Sequence, residues 1–536
     1  MIKKHLLGGA LLVSVLVLLT GCKEMMSSLD NPVSAYFEVT PTQATIAKNQ
    51  TCQISYSTIS DGKVTFKSSA ENIATVDAKG LVTGKTAGTA IITVELAATP
   101  YYQGATKNVE VTVDAVLSID ATEVTVGYGA SINLVKDYHL ARKGEATINY
   151  EIIEGGDFIT LDETTKDITG KACGNAKVKV SVPASTTASS DELVIDVKAR
   201  VQNLAQLVAV IGSGKEPFAY LADDVAITLP AADFDLSGKK VTIMGDEKKP
   251  ATITMGAVTT AGVTVSDNFT LKNVKVQAAS MGTKPFILLD KTEAVAKKAD
   301  GSDSDHKLIN TITLEGVEIY GLKDAFLTDN QKTVLMTLSI EDCIIEMPAA
   351  GKNVLNFNGK GFIVDAKINN STIYAKGGNN TGFFAQYGSR PKNLWTKDTN
   401  NKDVPGDWTM QKFDVQNSTI VNIANGKNVC DLKQNGTAEN VYTLKNNIFV
   451  NTGKSGQVVV GFNKGQASAN PIWDVTGNNF SVGTENKNAA EIEKAGKKDD
   501  IDIVKNCVDG IPAFNDAANG DFHQTNVKTG DPRWTK

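Results

Sequence analysis

From about residue 35 the chain alternates apolar and polar residues with a period of two. Ala90-Ile91-Ile92-Thr93-Val94 and Val178-Lys179-Val180 are examples, each bounded by Gly and Asp turns. This is the pattern of half-buried strands. Two stretches are copies of one another. Thr83-Gly84-Lys85, Gly88 and Ala90 to Val94 recur as Thr169-Gly170-Lys171, Gly174 and Ala176 to Val180, at a constant offset of 86 residues. Units of about 80 residues with this alternation predict two small antiparallel sandwiches, over residues 35–115 and 116–200.

Beyond residue 200 the texture changes. Leu204, Leu207, Val208 and Ile211 have helical spacing and run into Gly212, which predicts a short helix with a left-handed glycine cap. A six-residue frame follows: aliphatic, polar, Asn/Gly/Asp, two variable positions, then aliphatic or aromatic. It fits Leu271–Val276, Leu314–Ile319, Ile340–Ile345, Ile368–Ile373, Val415–Ile420, Leu444–Phe449 and Val475–Phe480, in steps of 43, 26, 28, 47, 29 and 31 residues. Strand-like repeats of this length with no helices between them predict a solenoid whose coils share one core. The third position suits a tight left-handed bend, which Gly, Asn and Asp adopt most cheaply. Asn370, Asn417 and Asn446 are therefore expected to stack as a structural ladder, with the opening helix covering the exposed end.

The long steps mark insertions. Lys291 to Lys307 reads as a mobile loop, and a second insertion carries Tyr387, Arg390, Pro391, Lys392, Trp395 and Trp408. Lys487 to Asp502 is charged and helix-capable.

These motifs support two resemblances. Ser68-Ser69, Ile73-Ala74-Thr75-Val76-Asp77, Gly80-Leu81-Val82-Thr83-Gly84 and Gly88-Thr89-Ala90 resemble the bacterial immunoglobulin-like group 2 domain. The second unit keeps only the later half, Ile159-Thr160-Leu161-Asp162 and Ile168-Thr169-Gly170. In that family such domains serve as stalks or adhesive modules. The Asn-turned solenoid over residues 201–536 resembles the right-handed parallel β-helix of the pectate-lyase type. Its ending, Asp516 to Phe522 and then Gly530-Asp531-Pro532-Arg533-Trp534, resembles β-helix lipoproteins of Bacteroidetes that accompany glycan-utilisation genes and mostly lack an assigned function. The expected fold class is all-β: two immunoglobulin-like sandwiches, then a right-handed parallel β-helix with an N-terminal capping helix.

The beginning of the chain adds an address. Leu6 to Thr20 is apolar, follows Lys3 and Lys4, and ends in Leu19-Thr20-Gly21-Cys22. It is short for a bilayer span and resembles a lipoprotein signal over residues 1–22. An ordinary signal peptide with a chance cysteine is the alternative. Lipidation at Cys22, residues 23–34 as a tether and outer-membrane, cell-surface localisation are the expectations.

Composition narrows the chemistry. The 536 residues are 41 % apolar and 21 % charged, a globular mixture long enough for three or four domains. The net charge of −6 argues against a nucleic-acid partner. Without Cys22, five scattered cysteines (Cys52, Cys173, Cys343, Cys430 and Cys507) form no CxxC pair and read as free thiols. His139, His306 and His523 are isolated in sequence.

Three activities fit such a solenoid. A polysaccharide lyase needs a Lys or Arg base and often Ca²⁺. Arg390 is the only arginine in residues 201–532, and Asp365, Asp398, Asp403, Asp407 and Asp414 surround it without an Asp/Glu pair recurring on neighbouring coils. A glycoside hydrolase needs paired carboxylates, for which Asp223-Asp224 and Asp499-Asp500 lie too near the solenoid ends. Arg390-Pro391-Lys392 matches one polygalacturonase element in isolation. The third activity is binding without turnover, with no cofactor. Tyr387, Trp395 and Trp408 would stack on sugar rings, and Arg390 and Lys392 would pair with carboxylates or hydroxyls. Equally, the tryptophans could anchor the loop to the solenoid. Residues 351–470 hold 14 Lys/Arg against 7 Asp/Glu, a net of +7 that suits an acidic glycan. Capture of polysaccharide for an outer-membrane glycan transporter is the leading expectation, with a lyase and an adhesin as the alternatives.

Overall fold

The computed structural model describes residues 32–114, 116–143, 147–183, 190–298, 300–359, 361–376, 378–388, 396–397, 403–404, 412–432, 440–454, 457–463, 471–495 and 503–535. Two immunoglobulin-like sandwiches precede three long sheets that wind as a parallel solenoid. In the first sandwich Gln43–Ala47, Ala105–Asp114, Gly88–Leu96 and Val64–Ser68 form one sheet, in that order, and Thr51–Gln53, Leu81–Gly84 and Ala74–Val76 lie in another. The second sandwich repeats this plan. Its strands Asp167–Gly170 and Gly174–Val182 are Leu81–Gly84 and Gly88–Leu96 displaced by the 86-residue offset of the sequence repeat.

The sandwiches and the solenoid are joined through buried charges. Asp191 accepts from Lys48 Nζ of the first sandwich at 2.9 Å and from the N–H groups of Val116 and Leu117 at 3.2 and 3.1 Å. Arg200 is buried, donates to Gly174 O and Asn175 Oδ1 at 2.7 Å each, and lies 3.6 Å from the ring centre of Tyr220 in the first coil. A charge removed from water is tolerated only when so many partners answer it.

The solenoid opens with the helix Leu204–Gly212, whose N-cap Asn203 accepts from Gln206 N at 3.0 Å. Leu207, Val210 and Ile211 are buried against the first coil, whereas Val208 is 55 % exposed. The inward face is thus rotated from the one expected, because Val210 lies beside Leu207 and Ile211 at about 100° per residue. The expected glycine cap is also replaced: Ser213 (φ −74°) ends the helix, its hydroxyl donating to Val210 O at 2.7 Å.

Sheet A runs in parallel register from Phe218–Tyr220 to Val504–Lys505, and sheet B from Ala226–Thr228 to Asn479–Val482. Sheet C runs from Phe234–Asp235 to Cys430–Leu432 and stops earlier. The helices Val459–Phe462 and Asn488–Ala495 follow, the latter within the segment read as helix-capable. Buried Glu491 caps the shorter helix by accepting from the N–H groups of Val458 and Val459.

The six-residue frame forms the corner between sheets A and B. Its first positions, Leu271, Leu314, Ile340, Ile368, Val415, Leu444 and Val475, are direct register partners in one column. Its third positions, Asn273, Gly316, Asp342, Asn370, Asn417, Asn446 and Gly477, all have φ between 48° and 70°. The expected asparagine ladder is carried mainly by backbone: Asn370 N donates to Gln416 O, Asn417 N to Lys445 O and Asn446 N to Thr476 O, at 3.1, 2.8 and 3.0 Å. The side chains of Asn417 and Asn446 add one rung at 3.2 Å.

A second, inner ladder uses the next residue of the last four frames. Ser371 Oγ accepts from Cys343 N (3.0 Å), Ser418 Oγ from Ser371 N (3.2 Å), Asn447 Oδ1 from Ser418 N (2.9 Å) and Asn478 Oδ1 from Asn447 N (2.9 Å). Ser371, Ser418, Asn447 and Asn478 are all fully buried, so these bonds satisfy donors that water cannot reach.

The end of the chain turns back as a strap over the outer face of sheet B. Phe522 packs edge-on against Tyr374 and Phe514, at 5.0 and 5.1 Å between ring centres. Fully buried Asp531 accepts from Thr372 Oγ1 at 2.7 Å, and Thr372 in turn accepts from Trp534 Nε1 at 2.7 Å. Arg533 pairs with Asp531 and donates to Asp342 O, Cys343 O and Asn370 O at 3.0, 2.6 and 3.1 Å. At Gly530 (φ 95°) a Cβ would stand 2.8 Å from Thr419 Oγ1, so this close approach needs glycine.

Three expected outcomes follow from these contacts. Asn447→Leu strands the N–H of Ser418 and the carbonyl of Val415 and should cost about 2–4 kcal/mol, read by urea denaturation. Asn370→Gly, which suits the left-handed bend, should change stability by less than about 1 kcal/mol. Ending the chain at residue 510 should uncover Ile344, Tyr374 and Val421, lowering Tm and creating binding of a hydrophobic dye that the full chain lacks.

Candidate functional site

Most of the length variation in the solenoid lies at the corner leading from sheet C to sheet A. The first insertion, read as a mobile loop, is an ordered hairpin: Val295–Lys297 pairs antiparallel with Asp303–Glu315, extending one strand of sheet A to 13 residues. Thr292, Ala296, Ser304 and His306 are buried at its base. Apolar burial and strand pairing therefore outweigh the loop-like composition.

The second insertion leaves sheet C after Ala385–Tyr387 and enters sheet A at Lys412–Gln416. Within it Thr396–Lys397 and Asp403–Val404 pair as a two-stranded ribbon. Arg390, Lys392, Trp395 and Trp408 lie outside the described residues. Tyr387 is described, and its expected role is corrected. It is 2 % exposed, in register between Phe357 and Leu432, edge-on to Phe357 at 5.6 Å and stacked on Phe413 at 6.3 Å. A ring so enclosed has no face left for a sugar, so Tyr387 belongs to the core.

At the foot of this insertion the outer face of sheet A carries Asp365, Lys367 and Asn369 on one coil and Lys412, Asp414 and Gln416 on the next. Register sets Asp365 opposite Lys412 and Lys367 opposite Asp414. Lys367 Nζ also lies 3.4 Å from Asp365, and Gln416 donates to Asp414 Oδ1 at 2.7 Å. Each carboxylate thus faces a lysine across the strand, an opposite-charge cross-strand pairing.

Elsewhere on this face Lys272 pairs with Glu315 and Lys445 with Asp474, both at 2.6 Å. Glu315 and Glu341 are direct partners on neighbouring coils, which corrects the expectation that no such acidic pair recurs. Glu315 is already engaged by Lys272. Asp223 is held by Lys198 and Lys249 at 3.6 and 3.7 Å, while Asp499 and Asp500 lie outside the described residues.

Among the described residues no group of three or more His, Cys, Asp and Glu side chains is placed to hold a metal. Cys52, Cys173, Cys343 and Cys430 are free thiols, and burial pushes the Cys343 thiol up to about 12. The histidines remain apart, beside Asp120 (His139), Asp305 (His306) and Asp521 (His523).

Sequence patterning did not single out Asp329. It ends a strand of sheet C, two coils before Tyr387 in the corresponding strand position, and is 4 % exposed. Its Oδ1 accepts from Thr333 N at 2.9 Å and Gln331 N at 3.3 Å, turning the chain into sheet A. Burial holds its carboxyl above the ordinary carboxylate range, partly opposed by these hydrogen bonds.

Residues 35–100 match the bacterial Ig-like domain (group 2) family, and residues 224–376 match a domain of unknown function, DUF4957. No curated protein matches the chain. Similar solved structures include domains 4 and 5 of the S-layer protein SbsC, 17 % identical, covering 32 % of this chain and 99 % of that one, with a TM-score of 0.13. A SusE-like surface-located polysaccharide-binding protein from the Bacteroides thetaiotaomicron heparin utilisation locus is 15 % identical, covering 31 % of this chain and 34 % of that one, with a TM-score of 0.19. The EC1-3 segment of Drosophila N-cadherin is 10 % identical, covering 32 % of this chain and 69 % of that one, with a TM-score of 0.15.

Asp329 yields a signed pH dependence. Its raised folded-state pKa means that the folded chain binds this proton more tightly than the unfolded chain. Its contribution is therefore fully present below about pH 4 and falls as pH rises toward the folded pKa. Asp329→Asn keeps the Oδ1 acceptor and removes the titration. The Tm of the variant relative to wild type should rise between pH 4 and pH 8, and a difference that is constant or shrinking would contradict the assignment.

Proposed function

We propose that this chain is a cell-surface lipoprotein of the outer membrane, anchored through Cys22, whose solenoid binds polysaccharide without cleaving it and delivers it to a glycan-uptake system. The observation that carries this reading is the charge-paired foot of the second insertion, Asp365 opposite Lys412 and Lys367 opposite Asp414. Ammonium and carboxylate groups alternating across the strands set donors beside acceptors. Such a surface suits hydrogen bonding to the hydroxyls and carboxylates of a glycan. The insertion supplies Trp395 and Trp408 to stack on sugar faces and Arg390 and Lys392 to meet acidic groups. The net charge of +7 over residues 351–470 favours an acidic polymer.

Affinity electrophoresis of residues 23–536 through gels containing acidic or neutral polysaccharides tests this. One acidic polymer should retard the chain without losing length, and Trp395→Ala/Trp408→Ala should weaken retardation by about tenfold or more. Raised salt should weaken it further. Release of unsaturated, ultraviolet-absorbing ends, with or without added Ca²⁺, would replace binding by a lyase with Arg390 or Lys392 as base. No retardation by any polymer would reject the proposal.

A further inference from the structure

The end of the first sandwich that faces away from the second carries a cluster of exposed apolar side chains. Its strands run end to end: Leu96 pairs with Ala105 and with Val64 at one end, whereas Ala47 and Asp114 pair at the other. The second end is the joint, where Lys48 meets Asp191 and Lys143 meets Asp114. At the first end Val33 N donates to Tyr101 O at 3.1 Å, and Val33 is in register with Tyr102. The Phe37–Thr58 pair sets Tyr36 one residue further out, alongside Ile59. Val33, Tyr36, Ile59 and Tyr101 are 59 %, 47 %, 62 % and 56 % exposed. The other exposed large apolar residues of the two sandwiches, Tyr56, Leu81, Val135, Ile153 and Val194, stand on separate elements.

Two exposed tyrosines with an isoleucine and a valine at one tip form an amphipathic surface. Tyrosine favours an environment that is apolar on one side and wet on the other, as at the headgroup level of a bilayer. Tyr36 keeps its hydroxyl on Glu38 at 2.6 Å, leaving the ring body facing outward. The chain also enters the sandwich at this tip. Only residues 23–32 separate it from Cys22, a reach of roughly 35 Å when fully extended.

We propose that this tip rests on the lipid surface bearing the anchor, so that Val33, Tyr36, Ile59 and Tyr101 seat the first sandwich end-on at headgroup depth. The inference rests on the lipoprotein reading above. It assigns the first sandwich a membrane-facing end and directs the joint with the second sandwich, and the solenoid beyond it, away from the bilayer.

The test holds the mature chain, with a histidine tag before Lys23 in place of the lipid, on vesicles of phosphatidylethanolamine, phosphatidylglycerol and nickel-chelating lipid. Tyr101→Trp places a fluorophore at the tip, and brominated phospholipid quenches only tryptophan in contact with the bilayer. Brominated vesicles should remove about half of the emission that Y101W adds over wild type. Tyr36→Ser/Ile59→Ser in the same chain should abolish that quenching while leaving Tm unchanged, because both side chains are exposed. Unquenched Y101W emission would overturn the proposal, as would equal quenching at Val135→Trp in the second sandwich. Metabolic labelling with palmitate separately tests the anchor. Its absence from Cys22 would overturn the lipoprotein reading, while the vesicle experiment still decides whether this tip binds lipid.

Discussion

From the third coil onward the solenoid turns on one bend. Between sheets A and B a single residue in the left-handed region redirects the chain, and its N–H points along the solenoid to a carbonyl of the next coil. Behind the last four bends a buried Ser or Asn side chain receives the N–H of the residue before it in the stack. The two ladders leave these corner donors paired although they are shut away from water, which is the condition for burying a turn at all. Because each bond joins one coil to the next, the corner also fixes parallel register. One set of hydrogen bonds thereby aligns the aliphatic columns of both sheets.

The six-residue frame keeps this corner short in seven coils, whereas residues 221–225 and 245–250 make the same passage in the first two. Length variation falls mainly at the opposite corner, where sheet C passes into sheet A. Three residues join Asp329 to Thr333, whereas 24 join Tyr387 to Lys412. The second insertion therefore rejoins sheet A at Lys412, in register with Asp365. Sheet B is closed over several coils by the terminal strap, through Phe522, Asp531 and Arg533. The strap's role is to cover apolar surface that water would otherwise meet.

What the sequence showed and what it hid divide along physical lines. The left-handed bends were legible because few residue types occupy them, and the sandwich repeat because its 86-residue offset reappears in the strand bounds. Tyr387 was misread because a three-residue strand is too short to display alternation, and the charged residues after it resemble loop. The strap was recognisable as a string of residues but not as a structure, since Asp531 finds Thr372 159 positions upstream. Cross-coil pairs such as Glu315 with Glu341 and Lys367 with Asp414 emerge only when steps of unequal length are laid into register. Of the candidate site the composition was legible, whereas the cross-strand pairs at its foot were not.

The central claim is that recognition occurs at the second insertion and the outer face of sheet A beneath it. Hydrogen–deuterium exchange of the mature chain, with and without a saturating polysaccharide, tests this most directly because it locates the contact and needs no substitution. The account predicts slowed exchange in peptides spanning residues 388–416 and in the neighbouring strands Phe362–Asn369 and Val441–Lys445. The sandwich peptides should remain unchanged. Slowed exchange confined to residues 35–200 would contradict it, making the immunoglobulin-like modules the adhesive surface and the solenoid their scaffold.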